Sequence, residues 1–425
     1  MLDEAGPNQR PTITSIRMAN FKNFADETLR LGPFTVVVGT NASGKSNIRD
    51  ALRFLHGIGR GYTLMEVVGG KWGSGGQREW DPIRGAATEI ARLSTRYREM
   101  PSTFSFHVEL ASSNKTVSYF IKVGFDPDPL RFWVLREALR VEGRTIYETR
   151  GIKDGSHWLD CADGALIGFS PLQPVLTQLD PPRQAWPTDI LQELAQLRVR
   201  EALADMRFWD LSPELMRIGT FPGTPLGDRG DGLPAVLEEI CADAKRQEVL
   251  ASWLQELTPM DVSGFEFPHD PRGLVHLMLC EANGRRVSAD SASGGTLRFL
   301  AMLAVLLGKN PPGLCFFEEI DTGIHPVRLH LLTELIERQA AKRSIQVIAT
   351  THAPTLLTVV GDTTFENTSV VGRLEDTADA IIRSIGGLPN AHELRREQGL
   401  GRLHESGWLE TALFFNERNE QEDDT

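Results

Sequence analysis

Cysteine is scarce in this chain: four residues, Cys161, Cys241, Cys280 and Cys315, occur among 425, and no two form a C-x-x-C pair. That spacing excludes a stapled secreted scaffold and a thiolate zinc site, and points to a reducing cytoplasm. A basic excess is also missing. The net charge is −12, with 45 Lys and Arg against 57 Asp and Glu, so no global positive field draws the chain onto nucleic acid. No stretch approaches the roughly 18 consecutive apolar residues of a membrane span, and the opening MLDEAGPNQRP has no basic-then-apolar signal pattern. The expectation is a soluble cytoplasmic protein without a membrane partner. What is present, 41% hydrophobic and 24% charged residues, is ordinary globular usage.

Alternating apolar residues over Thr12–Phe24 (TITSIRMANFKNF) and the apolar run Phe34–Val38 (FTVVV) read as strands. A helical stretch follows from Asn47, and the glycine-rich segment Gly57–Gly85 reads as a loop or a set of turns. Phe104–Val134 and Leu139–Thr149 alternate as an antiparallel sheet does. From about Leu172 to Leu257 the pattern becomes helical without a sustained heptad, which describes an insertion and not a long coiled coil. Two strands, a helix, the apolar strand Leu314–Phe317 (LCFF), another helix and the strand Ile345–Ala349 follow, and the acidic tail NERNEQEDDT reads as disordered.

The segment Gly39–Ser46, GTNASGKS, fits G-x-x-x-x-G-K-[ST] between an apolar strand and a helix, the setting in which that pattern is a phosphate loop. Its glycines let backbone N–H groups turn toward phosphate oxygens, and the helix adds its positive end. Lys45 would hold the β- and γ-phosphates, and Ser46 would offer its hydroxyl to Mg²⁺. At the end of LCFF stand Glu318 and Glu319. Beside a phosphate loop, the first suits the metal and the second suits polarising water. His352, at the end of the strand from Ile345, can sense the γ-phosphate or hold the attacking water. Upstream, SASGGT (Ser291–Thr296) opens an apolar-faced helix, and its serine and glycines form an anion-binding start.

The order of these motifs resembles that of ABC-type ATPases, and their wording resembles the branch containing RecF, SMC proteins and OLD-type nuclease ATPases. The segments are ITSIRMANFKNF, GTNASGKSNIRDAL, SASGGTLRFLAMLAVLL, FFEEIDTGIHP and ATTHAPTLL. The resemblance implies an α/β fold: an ABC ATPase head with a mixed sheet around the phosphate loop, an antiparallel β lobe and a helical insertion. It divides the chain into a head over 11–370, an insertion over 172–262 and a C-terminal extension over 371–425.

Carried over position by position, it makes Gly39, Asn41, Gly44, Lys45, Ser46, Asn47 and Lys22 nucleotide-binding residues. Ser293, Gly294 and Gly295 contact the γ-phosphate held by an opposite protomer. Ser46 and Glu318 hold Mg²⁺, with glutamate at 318 where the family usually has aspartate, and Glu319 and His352 are catalytic. ATP and Mg²⁺ are the implied cofactors, and a homodimer or higher homo-oligomer with ATP between its heads is the implied assembly. The resemblance extends to compact ATPases of prokaryotic anti-phage defence, which work with a separate effector such as a nuclease. The alternative is a DNA-repair or chromosome-maintenance ATPase that binds DNA itself, with the arginines of LRVREALADMR as a candidate stripe; a transporter motor fits the motifs less well.

Overall fold

The computed structural model describes residues 10–92, 102–112, 114–127, 130–153, 155–160, 166–178, 198–257, 261–325, 328–352, 354–374, 379–388 and 391–397. The chain opens with β1 (Thr12–Phe21), β2 (Phe24–Arg30) and β3 (Phe34–Val38), and enters α1 (Lys45–Gly59) and α2 (Leu64–Gly69). A small hairpin, β4 (Lys71–Trp72) and β5 (Arg78–Trp80), precedes β6 (Ser102–Ser112), β7 (Lys115–Pro127), β8 (Leu130–Val141), β9 (Arg144–Lys153), β10 (Ser156–Asp160) and β11 (Leu166–Phe169). The central part holds α3 (Val175–Gln178), α4 (Val199–Ala204), β12 (Met206–Trp209), α5 (Pro213–Met216), α6 (Leu233–Cys241) and α7 (Ala244–Leu257). Next come β13 (Val262–Glu266), β14 (Met278–Glu281), β15 (Arg286–Ser288), α8 (Gly294–Leu307), β16 (Leu314–Phe317), α9 (Leu329–Arg343) and β17 (Gln346–Thr351). The last elements are α10 (Asp362–Glu366), β18 (Ser369–Arg373), β19 (Ala380–Ser384) and α11 (Ala391–Glu397).

These elements form two compact units. The first gathers Met1–Leu31, Gly39–Met206 and Ser369–Ser384; the second gathers Gly32–Val38, Arg207–Thr368 and Ile385–Thr425. In the first, the strands run in the order β11-β10-β9-β8-β7-β6-β1-β2-β19-β18. The long hairpins β6 to β9 pair antiparallel, and their alternation is direct: Phe104, Phe106, Val108 and Leu110 of β6 point inward between half-buried neighbours. Phe54 of α1 packs into this face, with ring centroids 5.3 Å from Phe104 and 5.1 Å from Phe106, and Phe21 lies 5.0 Å from Phe106. This aromatic cluster seats α1, and with it the end of the phosphate loop, on the sheet.

Three expectations are corrected here. Thr12–Phe24 is not one strand: it turns at Lys22, whose φ is 51°, and β2 returns antiparallel to β1 with Phe21 opposite Phe24. The glycine-rich stretch from Gly57 is not loop throughout, because α1 continues to Gly59 and α2 follows. Gly57 and Gly59 are small for packing: a Cβ on Gly57 would lie 2.7 Å from Val67 Cγ2 of α2, and one on Gly59 would lie 2.4 Å from the Ala204 nitrogen of α4. The helical insertion contains a strand, β12, before its helices resume. Residue 370 lies inside β18, and β19 pairs parallel with β2 through Ala380 and Phe24.

In the second unit the order is β3-β17-β16-β12, with β3, β17 and β16 parallel and each wholly buried. Continuous burial explains why FTVVV and LCFF are apolar runs with no alternation. The fold class is thus mixed α/β, with an antiparallel β lobe and a largely helical middle segment. No helix among the described residues is long and apolar enough to cross a membrane.

Candidate functional site

In the first unit the chain turns from Gly39 to Gly44 and enters α1 at Lys45. Ala42 and Gly44 take positive φ, 61° and 118°, which tightens the loop. Both loop glycines are sterically required: a Cβ on Gly39 would lie 2.4 Å from the Val371 carbonyl oxygen, and one on Gly44 would lie 2.8 Å from Ala380 Cβ. Lys45 is 6% exposed and donates from Nζ to the carbonyls of Gly39 and Thr40, so the ammonium is folded across the loop it belongs to. Ser43 Oγ is buried with no hydrogen-bond partner, and α1 has no side-chain N-cap. A buried hydroxyl lacking a partner, a buried ammonium and uncapped helix N–H groups together fit an anion such as a nucleotide phosphate chain. Asn41 and Ser46 are exposed at this loop, and Asn47 donates to Asn23 Oδ1 at 2.6 Å.

Lys22 does come to this loop, but held by groups the sequence did not single out. Its Nζ pairs with Asp50 and donates to the Arg84 carbonyl at 2.8 Å. Arg84 in turn reaches Asp50 Oδ1 at 3.1 Å and the Ser46 carbonyl at 2.6 Å. Asp50 is 1% exposed, one turn beyond Ser46 on the same face of α1, and it aligns both cations beside the phosphate loop. An open cleft of about 700 Å³ passes Lys22, Ser46, Asn47, Asp50, Arg84 and Arg92. Two of the three arginines of LRVREALADMR are engaged within this unit: Arg198 pairs with Glu201 at 2.5 Å and Arg200 donates to the Gly59 carbonyl.

In the second unit the carboxyl ends of β16 and β17 carry the remaining groups. Glu318 donates its N–H to the Trp209 carbonyl at 2.9 Å, and Trp209 stacks on Phe317 with centroids 5.0 Å apart. Glu319 has φ 47°, in the left-handed region that residues other than glycine adopt infrequently. Thr350 imposes it, because its Oγ1 accepts the Glu319 N–H at 3.0 Å and its carbonyl accepts the Ile320 N–H at 3.1 Å. The turn swings the Glu319 carboxylate to 3.4 Å from His352 Nε2, with Thr322 Oγ1 at 3.3 Å on the other oxygen. Asp321 is a further acid here. Burial pushes its carboxyl up, a hydrogen bond from Thr351 opposes that, and Oδ1 is buried with no partner. The sequence offered it within FFEEIDTGIHP, one of the segments that carry the resemblance, but gave it no role of its own.

Ser293 caps α8, accepting the Thr296 N–H at 3.0 Å. Backbone passes close to Gly295, where a Cβ would lie 2.0 Å from the Gly323 carbonyl oxygen, and a Cβ on Gly294 would lie 3.1 Å from the Pro213 ring. Gly323 belongs to the turn after Asp321, so the serine-glycine-glycine start and the carboxylate turn are packed on one another. Cys241, Cys280 and Cys315 are thiols, and burial pushes Cys241 up to about 12; Cys161 lies outside the described residues. Among the described residues no three His, Cys, Asp or Glu side chains converge as a metal-binding group.

A phosphate loop, a serine-glycine-glycine helix start, an apolar strand tipped with paired glutamates and a strand tipped with histidine, in that chain order on a mixed α/β fold, define an ATPase head of the ABC type. More narrowly, the chain belongs to the family described as "AAA domain, putative AbiEii toxin, Type IV TA system", whose model matches residues 34–165 and 191–358. Over 74 residues it is 39% identical to the chromosome condensation protein dpy-27 of Caenorhabditis elegans, a match covering 16% of this chain and 5% of that protein's length. Among solved structures it is similar to an SMC head bound to the C-winged helix domain of ScpA, at 14% identity and TM-score 0.45, covering 88% of this chain and 98% of that one. The SMC head domain of Thermotoga maritima gives 12% identity, TM-score 0.41, and coverage of 88% and 99%. That of Pyrococcus yayanosii, with a coiled coil and joint, gives 13%, 0.46, and coverage of 91% and 99%.

Proposed function

We propose that this chain is an ATP-binding and ATP-hydrolysing head that pairs with a second copy when ATP is bound. In this reading Lys45, with the Gly39–Gly44 backbone, grips the triphosphate, Asn41 and Asn47 border it, and Lys22 adds charge at its side. Ser46 and Glu318 would hold Mg²⁺, which when bound neutralises phosphate charge in the transition state. Glu319 takes the proton of the attacking water, and His352, 3.4 Å away, orients that water and reports the γ-phosphate. Ser293, Gly294 and Gly295 serve the nucleotide of the opposite head, so each dimer holds two composite sites. ATP contacting both heads favours the closed pair, and hydrolysis releases it.

The observation that carries this reading is the strained Glu319: a positive φ pinned by Thr350 is the kind of backbone cost retained where a carboxylate must be aimed. The family description, which names a toxin of a type IV toxin–antitoxin system, supports a role in prokaryotic defence. There the head acts as sensor or scaffold, its ATP state controlling a separate effector such as a nuclease, in a cytoplasmic setting.

The test compares wild type with Glu319→Gln, measuring phosphate release and solution mass with and without ATP and Mg²⁺. The expected outcome is a loss of turnover of about 100-fold or more, with ATP trapping a species of twice the mass. Unchanged hydrolysis and a mass indifferent to ATP would overturn the reading.

A further inference from the structure

The segment Trp209–Thr220 lies across the second unit as a strap, and its attachments fall on two functional turns. At its start, the Trp209 carbonyl accepts the Glu318 N–H at 2.9 Å, the residue at the head of the carboxylate turn. One residue pair later, Arg298 of α8 donates from Nε to the Leu211 carbonyl at 3.1 Å. At the far end, Arg217 sends Nε to the Ala289 carbonyl at 3.2 Å and Nη2 to the Ala292 carbonyl at 3.1 Å. Ala292 immediately precedes Ser293. Beyond Arg217 the strap is closed by reciprocal bonds between Thr220 and Val275, at 3.1 and 2.8 Å, and by Gly219, where a Cβ would lie 2.5 Å from the His276 ring.

Nothing else on the strap reaches the turn from 289 to 292 with a charge. Within the turn, the N–H groups of Ser291 and Ala292 bond to Ser288 and Ala289, and the Ala289 N–H reaches the Leu277 carbonyl at 3.0 Å, which fixes its entry but leaves Ala292 to Arg217 and the turn itself. The Ser293 hydroxyl is committed to Thr296, so its direction follows wherever the preceding turn is placed. A guanidinium gripping two carbonyls of one turn is a two-point fixture, which a single donor cannot reproduce.

We propose that Arg217 is a positioning residue for the serine-glycine-glycine start of α8, and that the strap ties this start to the carboxylate turn at Glu318. The inference rests on the paired-head reading, in which the start of α8 serves the opposite head's nucleotide while Glu318 serves its own. Under that reading, the strap joins the two ATP sites of a dimer through each head. Arg217 then contributes to pairing and to cooperativity between the sites, and not to the first capture of ATP.

The experiment places Arg217→Ala and Arg217→Lys in wild-type and Glu319→Gln backgrounds. Binding of a fluorescent ATP analogue to single heads is measured at high dilution, ATP-driven association by sedimentation, and the ATP dependence of hydrolysis by phosphate release. Expected for Arg217→Ala are single-head affinity within about twofold of wild type, an association midpoint raised about tenfold, and a Hill coefficient reduced toward about 1. Arg217→Lys, which keeps the charge but gathers its donors on one nitrogen, falls between, and it carries the test if the alanine variant does not fold. If Glu319→Gln pairs with ATP and both Arg217 variants pair at the same midpoint with unchanged cooperativity, the inference is overturned and the paired-head reading stands. If Glu319→Gln itself never pairs, the reading fails and takes this inference with it.

Discussion

At the scale of single residues, the groups whose chemistry dictates their spacing were legible, and those recruited from a distance were not. Lys45, Ser46, Glu318, Glu319 and His352 stand at strand ends and a helix start, where local sequence alone locates them. Asp50 carries no such mark, since its role comes from Lys22 and Arg84, 28 and 34 residues away along the chain. It is a buried carboxylate between two cations, so removing its charge leaves both uncompensated. Asp50→Asn is expected to lower stability by about 2–3 kcal/mol and to weaken ATP binding as Lys22 and Arg84 lose their anchor. Urea unfolding and nucleotide titration of the same preparation check the two effects. A variant indistinguishable from wild type in both would show that the cluster is incidental.

Among elements, burial decided what could be read. The buried parallel strands β3 and β16 were found at their observed bounds, because an apolar run bounded by turn residues has few other uses. Helix α2 was missed because glycine reads locally as a breaker, whereas Gly57 and Gly59 are there to let α2 and α4 approach. A second hidden feature is Glu137 on β8, fully buried. It accepts the N–H groups of Val175 at 2.5 Å and Leu176 at 2.9 Å, with the hydroxyls of Tyr147 at 2.9 Å and Tyr119 at 3.2 Å. Burial raises its carboxyl from 4.5 to about 7 in spite of these four donors, and pushes both tyrosines well above their usual range.

An acid whose folded pKa exceeds its unfolded one keeps its proton longer when folded. Between about pH 4.5 and 7 the native state therefore binds more protons, and stability falls as pH rises through that window. At about 1.4 kcal/mol per pH unit, the loss from this one group approaches about 3 kcal/mol and is complete above 7. In Glu137→Gln the slope over this window is expected to flatten, while stability drops overall because the amide sets its own N–H₂ against backbone donors. Denaturant midpoints of both proteins from pH 5 to 8 read the difference, and parallel curves would place the titration elsewhere.

For the whole molecule, the sequence indicated an α/β head with an antiparallel lobe, and the class of fold agrees. Its late strands were harder to see. Residues from 371 onward read as an extension, yet β18 and β19 lie beside β2 in the first unit, and the Ile382 N–H reaches Glu27 Oε2 at 2.8 Å across 355 residues. Parallel pairing between distant segments leaves no local pattern, since no turn joins the partners. Truncation after Thr368 removes both strands, and is expected to abolish ATP binding and yield insoluble protein, measured by nucleotide titration and by the soluble fraction. A soluble, ATP-binding truncation would show that the first unit's sheet closes without them.

The two phosphate-loop glycines are walled by those same late strands, Gly39 by the Val371 carbonyl and Gly44 by Ala380. During synthesis the loop leaves the ribosome early and its walls come last. A nascent or prematurely terminated chain therefore carries the complete phosphate-binding sequence without the enclosure that shapes it. On the proposed reading, a chain translated only as far as β17 is expected to bind nucleotide poorly and so to be a weak partner for finished copies.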